Sequence, residues 1–246
     1  SIIIDPDNNT SVILLINAVH PLDGKGVVRL RSLVANAVAG ANCPAPRTYF
    51  AHYYKRYLQF MDEPAITSND IVMLGNSLTE GGGDWGKRLG KDNVINRGIS
   101  GDVAMGIYDR LHQILPGKPK QIFLLIGVND ISHDLSTDSI VNMIEKNVTR
   151  IQRESPETKL YLQSLLPIDE SFNRYKKLTN KTYQIPEIND RLKALAKEKK
   201  IDFIDLYPLF TEKGTNVLRK ELTYDGLHLK EEGYKIWVDA IKKKMK

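Results

Sequence analysis

The chain has 246 residues, of which 41% are apolar and 26% are charged, and its formal net charge is +5. This composition is typical of a globular protein with a sizeable core, and it excludes a disordered or repetitive chain. The longest strongly apolar run, residues 122–126, is too short to cross a bilayer, so we expect no membrane insertion. The charge excess lies largely in residues 242–246, which are typical of a solvated helix end, and no basic strand interleaved with aromatic residues predicts nucleic-acid binding.

Residues 1–65 carry a weaker pattern than the rest, and we interpret them as an N-terminal extension that docks on a catalytic domain formed by residues 66–246. Residues 12–16 could form a strand and residues 27–39 a helix or a paired strand, with a linker that begins at Cys43. An aromatic face on a predicted helix follows, made of Phe50, Tyr53, Tyr54, Tyr57 and Phe60. Docking on the core is the favoured interpretation of this face, and a wall of the substrate cleft or a dimer contact is the alternative.

Five short apolar runs alternate with amphipathic stretches through the remainder of the chain. The predicted strands are residues 71–74, 94–96, 121–126, 159–165 and 201–205. The predicted helix faces are Ile140, Ile144, Val148 and Ile151 after a cap at Ser136 or Thr137, then Ile188, Leu192 and Leu195, and finally Tyr234, Trp237 and Ile241. This alternation predicts the α/β class, with a parallel sheet covered on both faces and right-handed crossovers.

Ser77 follows the first predicted strand and is the candidate nucleophile. The second strand leads to Gly98 and the third to Asn129, so three strand ends bring these residues to one edge of the sheet. Open α/β sheets bind ligands at that edge. Near the C-terminus, Asp225 and His228 stand three residues apart just ahead of the last helix, where they can share one turn.

These residue types match the parts that serine acyl transfer requires. Ser77 fits the nucleophile, His228 the general base, and Asp225 the group that orients the base. The backbone N–H groups of Ser77 and Gly98 and the side-chain amide of Asn129 are candidate oxyanion donors, since glycine allows a close backbone approach and Asn carries a neutral NH₂ group.

The same blocks resemble the SGNH (GDSL-type) hydrolase superfamily, in which Ser, Gly, Asn and His occur in this order. The sequences Leu74-Gly-Asn-Ser-Leu-Thr, Asn96-Arg-Gly-Ile-Ser-Gly-Asp, Gly127-Val-Asn-Asp and Asp225-Gly-Leu-His look like those of bacterial relatives of the platelet-activating-factor acetylhydrolase catalytic subunits. The resemblance covers about residues 66–246.

The resemblance implies a flavodoxin-like fold, a three-layer α/β/α sandwich with a five-stranded sheet. It also implies a triad of Ser77, Asp225 and His228 and an oxyanion hole of Ser77, Gly98 and Asn129. One departure is Asn76, where the family's motif has Asp, so an amide replaces the carboxylate in the local hydrogen bonding. We expect activity to survive the difference.

Competing motifs fit less well. Residues 81–88 have the spacing of a phosphate-binding loop, but Arg88 stands where a Ser or Thr is needed for magnesium, so a flexible loop beside the site is favoured. An α/β-hydrolase elbow would need a second glycine after Ser77 and a wider separation of Asp and His. His133 is a rival general base, although a cap of the next helix is its favoured interpretation.

No cofactor and no metal are predicted, because the five histidines are scattered, no His-Glu-x-x-His motif occurs and Cys43 is the single cysteine. The expected function is a serine esterase for short acyl esters, with acetyl groups on carbohydrates or lipids as the substrates that the resemblance implies. Acyl transfer to another hydroxyl, thioester or phospholipid deacylation, and a catalytically silent carbohydrate-binding protein on the same fold are the alternatives.

Partners and location follow from the same observations. The expected partner is a small acylated substrate, with no nucleic acid and no membrane insertion, and a homodimer is compatible with the aromatic face. The chain begins at Ser1 without Met, which is compatible with a periplasmic or secreted protein, and a cytoplasmic location is the alternative.

Overall fold

The computed structural model describes residues 2–5, 10–13 and 47–245, and the chain divides into two compact units, Ser1–Tyr49 and Phe50–Lys246. In the first unit, β1 (Ile2–Asp5) and β2 (Thr10–Ile13) form an antiparallel pair. The strand predicted over 12–16 overlaps β2 at its first two residues. The rest of that strand and the predictions for residues 27–39 and Cys43 lie outside the described residues, and the division at residue 65 stays a prediction.

The second unit contains a five-stranded parallel sheet. Its strands are β3 (Ile71–Gly75), β4 (Val94–Gly98), β5 (Gln121–Leu125), β6 (Lys159–Gln163) and β7 (Asp202–Ile204). The spatial order β4-β3-β5-β6-β7 is the flavodoxin-like order, so all five predicted strands and the α/β fold class are confirmed. The central strands β3 and β5 are buried along their whole length, as expected of strands covered on both faces.

Helices cover both faces of this sheet. They are α1 (Ala51–Asp62), α2 (Ser77–Gly81), α3 (Trp85–Leu89), α4 (Ala104–Arg110), α5 (Val128–Ser132), α6 (Thr137–Glu154), α7 (Gln184–Glu198), α8 (Tyr207–Phe210) and α9 (Glu231–Lys242). Single 3₁₀ turns occur at Leu111–Gln113, Leu115–Gly117, Glu170–Phe172, Lys176–Leu178 and Lys220–Leu222.

The side chains of β3 alternate between two apolar clusters, one on each face. Val72 and Leu74 pack with residues of α4, α6 and α7, whereas Ile71 and Met73 pack with residues of α2, α3 and α9. This alternation follows from the two-residue period of a strand. Both clusters include residues just beyond the strand ends, Ile126 in one and Leu78 in the other, so the edge where the strands finish rests on a packed core.

The predicted helix faces are buried as expected. Ser136 caps α6 by accepting the N–H of Ser139 at 3.2 Å. The predicted apolar residues of α6, α7 and α9 all lie in the two clusters. Apolar spacing located these helices from sequence alone, and for α6 the Ser136 cap also marked the start.

Residues 81–88 differ from the flexible loop that we predicted. Asp84 caps α3 by accepting the N–H of Lys87 at 3.0 Å. Trp85 is buried, donates its indole N–H to the Thr79 carbonyl at 2.8 Å and packs on Trp237 with ring centroids 5.1 Å apart. The loop prediction is wrong for residues 85–88, because a buried aromatic side chain fixes this segment as a short helix.

Candidate active site

Ser77 lies at the carboxyl edge of the sheet, as the first residue of α2 directly after β3. The end of β3 at Gly75 is level with Gly98 of β4 on one side and with Leu125 of β5 on the other. From β3 the chain goes to β4 on one side, and from β4 it crosses over to β5 on the other side of β3. Ser77 therefore occupies the topological switch point, where open α/β sheets form a crevice for ligands.

The buried Asn76 caps the helix that carries the serine. Its Oδ1 accepts the N–H of Leu78 at 3.1 Å, a bond that a carboxylate oxygen would also make. The Asn76 Nδ2 is buried without a partner among the described residues. The helix start also leaves the Ser77 N–H without an intrahelical acceptor, so this group is available to a ligand.

The structure brings the three predicted triad residues together. The Nε2 atom of His228 lies 2.9 Å from the Ser77 Oγ, and its Nδ1 atom lies 2.8 Å from Oδ2 of Asp225. The other oxygen of Asp225 accepts the backbone N–H groups of His228 at 2.7 Å and Leu227 at 3.0 Å. The order hydroxyl, imidazole, carboxylate is the geometry by which a base activates a serine.

Hydrogen bonds keep the Asp225 carboxylate ionised. Burial alone would raise its pKa, but the bonds from Tyr175, from the His228 ring and from the backbone lower the pKa of Asp225 to about 2. A carboxylate facing Nδ1 favours the His228 tautomer that carries its proton there. Nε2 is then free to accept the proton of Ser77.

Tyr175 is a site residue that the sequence analysis missed. Its hydroxyl donates to Oδ2 of Asp225 at 2.5 Å and lies 2.8 Å from Nδ1 of His228. Burial, together with the hydrogen bond to Asp225, raises the pKa of Tyr175, so the hydroxyl stays protonated. Tyr175 precedes Asp225 by 50 residues in a segment with no motif, so no local sequence signal pointed to it.

Asn129 lies beside Ser77 as predicted. It is the second residue of α5, and its Nδ2 donates one hydrogen bond to the Asp102 carbonyl at 2.8 Å. A primary amide carries two N–H groups, so one donor remains for a ligand. Asn129 and Ser77 line the same cavity, which fits the predicted role of Asn129 as an oxyanion donor.

Gly98 is not placed as predicted. Its N–H donates to Oδ1 of Asn96 at 2.9 Å and is therefore already occupied. A Cβ at Gly98 would lie 2.2 Å from the backbone nitrogen of Glu80, so glycine is needed here for close packing of β4 on α2. We correct the assignment: Gly98 is a packing residue in this geometry and does not line the cavity.

Gly101 is the glycine of this block that reaches the site. It lines the cavity with Ser77 and Asn129, and its φ of +83° lies in the region that favours glycine. Within residues 47–245, no protein group accepts the Gly101 N–H. The sequence block Asn96-Arg-Gly-Ile-Ser-Gly-Asp contains both glycines, and spacing alone did not tell them apart.

A cavity of about 520 Å³ opens next to Ser77. Its lining residues are Ser77, Ser100, Gly101, Asn129, Ser132, Arg174, Tyr175, Lys176, Lys177, Leu178, Leu227 and His228. The rival base His133 is exposed and does not line it. In the part of the chain that the structure describes, no group of three or more His, Cys, Asp and Glu side chains could hold a metal ion, and no helix is long and apolar enough to cross a membrane.

Two of the three curated relatives that match the chain are a cytidylyltransferase and an acetylhydrolase subunit homolog. The N-acylneuraminate cytidylyltransferase of Escherichia coli O18:K1:H7 is 26% identical over 177 residues, which cover 70% of this chain and 39% of that protein. The platelet-activating factor acetylhydrolase IB subunit beta homolog of Drosophila melanogaster is 24% identical over 141 residues, which cover 55% of this chain and 60% of that protein. The chain therefore spans less than two thirds of either relative.

Solved structures of similar proteins share the fold. A GDSL-like lipase from Bacteroides thetaiotaomicron superposes with a TM-score of 0.68 at 25% identity, over 80% of this chain and 98% of that one. An acetyl xylan esterase superposes with a TM-score of 0.60 at 22% identity, over 72% of this chain and 100% of that one. Residues 73–236 match the GDSL-like lipase/acylhydrolase family. The strand that carries Ser77, the blocks around Asn129 and His228 and this match together place the chain in the GDSL-like lipase/acylhydrolase family.

Proposed function

We propose that the protein is a serine esterase that removes short acyl groups, with acetyl esters of carbohydrates or small lipids as its substrates. One observation carries this proposal. An unbroken line of hydrogen bonds runs from Ser77 through His228 to Asp225 and begins in a cavity that also contains Asn129 and Gly101.

The proposed reaction has two halves. The Ser77 Oγ attacks the acyl carbonyl while Nε2 of His228 takes its proton, and the tetrahedral oxyanion accepts N–H groups of Ser77, Gly101 and Asn129. Collapse breaks the ester bond, and His228 returns the proton to the leaving alcohol. A water molecule, deprotonated by the same imidazole, then attacks the acyl-enzyme and releases the acid.

Cavity size and relatives support a small acyl ester. A volume of about 520 Å³ is in the range of small-molecule sites, roughly 300–1,000 Å³. One relative is an acetylhydrolase subunit homolog and one structural neighbour is an acetyl xylan esterase. Both descriptions concern acetyl esters, which favours acetate as the acyl group and a sugar or a small lipid as the alcohol.

Hydrolysis of 4-nitrophenyl esters from acetate to decanoate tests this function, with intact mass to detect an acyl adduct. We expect kcat/KM to fall as the chain lengthens and Ser77→Ala to lose both turnover and adduct. Ser100→Ala removes another hydroxyl from the same cavity and is the matched control for the adduct. Equal turnover by Ser77→Ala would overturn the proposal, and glycan binding by a parent protein without turnover would favour the silent binding protein.

A further inference from the structure

The cavity beside Ser77 carries an uncompensated positive charge. Arg174, Lys176 and Lys177 line it, and none of its lining residues is a carboxylate. All three are exposed, so their charged groups are accessible from solvent. A small molecule in the cavity therefore meets three cations and no anion.

Among the described residues, none of these three cations has an acidic partner, whereas several arginines of the domain do. Arg88 pairs with Glu231 at 2.7 Å, Arg110 with Asp102 at 2.9 Å and Arg150 with Glu154 at 3.1 Å. Over residues 47–245, no carboxylate lies within 4.0 Å of the charged groups of Arg174, Lys176 or Lys177. The nearby Asp134 offsets little of the positive charge of Arg174, Lys176 and Lys177, because its carboxylate is already paired with Lys181.

The segment that carries the cations is attached to the catalytic residues. Tyr175 stands between Arg174 and Lys176 and bonds to Asp225 at 2.5 Å. Nζ of Lys176 donates to Oδ1 of Asn173 at 2.6 Å, which holds this turn from within. The distance between the positive charges and the nucleophile is therefore set by a residue that contacts the triad.

We propose that the substrate carries an anionic group, a carboxylate, phosphate or sulfate, on the alcohol side of the ester. This inference rests on the proposed esterase function and narrows its substrate class. The acetyl group of the proposed substrate carries no charge, so the anion belongs to the alcohol, and Arg174 and Lys177 line the cavity that would receive it. Unpaired cations lining a cleft raise the local concentration of anions and accelerate their association by about 10- to 10³-fold.

The test compares 4-nitrophenyl acetate with 5-acetoxy-2-nitrobenzoate, a nitrophenyl acetate that bears a carboxylate, each corrected for its hydroxide-catalysed rate. We expect the parent to favour the anionic ester in kcat/KM by about tenfold or more at low salt, and this preference to shrink in 1 M NaCl. The Arg174→Gln/Lys177→Gln double variant should lose most of it. Lys146→Gln/Lys213→Gln removes the same charge from exposed positions outside the cavity and should keep the preference.

The outcomes separate the two proposals. If the parent hydrolyses both esters equally well, or the Arg174→Gln/Lys177→Gln variant keeps the full preference, the inference is overturned and the esterase function stands. If the parent hydrolyses neither ester and forms no acyl adduct, the esterase function is overturned and the inference with it.

The anion could belong to an acidic saccharide or to a phosphate-bearing head group. The rates of acetate release from three acetylated probes distinguish these two sources. O-acetylated galacturonate represents an acidic saccharide, diacetyl glycerol 3-phosphate represents a phosphate-bearing head group, and O-acetylated galactose is the neutral comparison. Faster release from either acidic probe than from the neutral sugar supports the inference and identifies the source. Faster release from the neutral sugar than from both acidic probes overturns it.

Discussion

Glu80 lies three residues after Ser77, and its carboxylate contacts the loop that carries Gly101. The backbone N–H of Ser100 donates to Oε2 of Glu80, while Nε2 of His52 lies 3.0 Å and Nε of Arg56 3.5 Å from Oε1. Burial would raise the pKa of Glu80, but the bonds from Ser100 and His52 lower it, so the group is an anion at neutral pH. Glu80 thus links α2 and α1 to the loop that carries Ser100 and Gly101.

Glu80→Gln should lower kcat about tenfold, because a neutral amide holds the Ser100 N–H less firmly than a carboxylate does, by about 1.4 kcal/mol. KM should change little, since Glu80 does not line the cavity. Steady-state kinetics with 4-nitrophenyl acetate measure both constants. Glu232→Gln, at an exposed position of α9, is the control. A lower Tm with unchanged kcat would instead make Glu80 a purely stabilising residue.

Gly101→Ala should reduce kcat by at least about tenfold, approaching the 10²- to 10³-fold that accompanies loss of one oxyanion donor. An alanine disfavours the φ of +83°, and its Cβ would lie 2.8 Å from the Phe50 ring, so the N–H would turn away from the oxyanion. Gly214→Ala is matched in backbone, with φ +76° and open space around the Cβ. Equal kcat in the Gly101 and Gly214 variants, measured on the same ester, would remove Gly101 from the oxyanion hole.

Sequence motifs identified the catalytic candidates that sit in short blocks and missed those that act across the fold. Ser77, Asn129 and His228 follow strand ends or precede a helix, so local patterns located them beside one cavity. Tyr175 and Glu80 carry no motif for their contacts, because their partners lie 50 and 20 residues away along the chain. Such roles depend on tertiary distances that no spacing encodes.

At the scale of elements, α1 packs into the second unit although it precedes the residues that match the family. The Tyr53 hydroxyl donates to the Gly106 carbonyl at 2.9 Å. The buried Phe60 ring lies under the guanidinium groups of Arg56 and Arg97, each 4.6 Å from its centre. One aromatic side chain therefore links α1 to β4 through stacked cations.

Phe60→Leu should lower the free energy of unfolding by about 1–2 kcal/mol, because it removes buried ring contacts and the cation–π interactions. Urea denaturation measures the difference. Met61→Leu changes the next residue of α1, which is 62% exposed, and should be within about 0.5 kcal/mol of the parent. Equal stability of the two variants would mean that α1 contributes little to the folded domain.

At the scale of the whole molecule, the sequence predicts the five strands of the sheet but does not predict the residues at which they end. Short apolar runs, separated by stretches with helical spacing, predicted five strands at the positions where the structure has β3 to β7. The strand predicted over 159–165 ends at Gln163, because the Leu165 N–H donates to Oδ1 of Asn189 at 2.7 Å and leaves the ladder. Hydrogen bonds to a distant helix decide where this strand stops, and a local pattern contains no record of them.

Asp130 links folding stability to pH. Both of its oxygens accept the N–H of Ala104 at 3.1 Å, so it caps α4 from another element, where Val103 offers no side-chain cap. Asp130 is not one of the predicted catalytic residues, and its contacts are those of a structural carboxyl group. Burial raises the pKa of Asp130 to about 7, with the Ala104 bond acting in the opposite direction.

The sign of the pH dependence follows from this raised value. The unfolded chain releases the Asp130 proton near its ordinary pKa, about 3.9, whereas the folded chain keeps it to about 7, so the native state binds more protons between these values. Stability from this group is present below pH 4 and is lost as pH rises towards 7. Asp130→Asn keeps an acceptor for Ala104 and cannot ionise, so its stability relative to the parent should rise between pH 5 and pH 8, on the order of 2 kcal/mol.

Urea denaturation of the parent and of Asp130→Asn at pH 5 and pH 8 measures that rise directly. Asp239 is an exposed carboxyl group on α9, so Asp239→Asn is the control for the general effect of losing one negative charge. A rise confined to Asp130→Asn would mean that the domain retains a buried acid next to Asn129 at a cost in stability. The same difference at both pH values would show that the folded domain ionises Asp130 as readily as the unfolded chain does. Asp130 would then cap α4 in its ionised form, stabilised by the positive end of that helix.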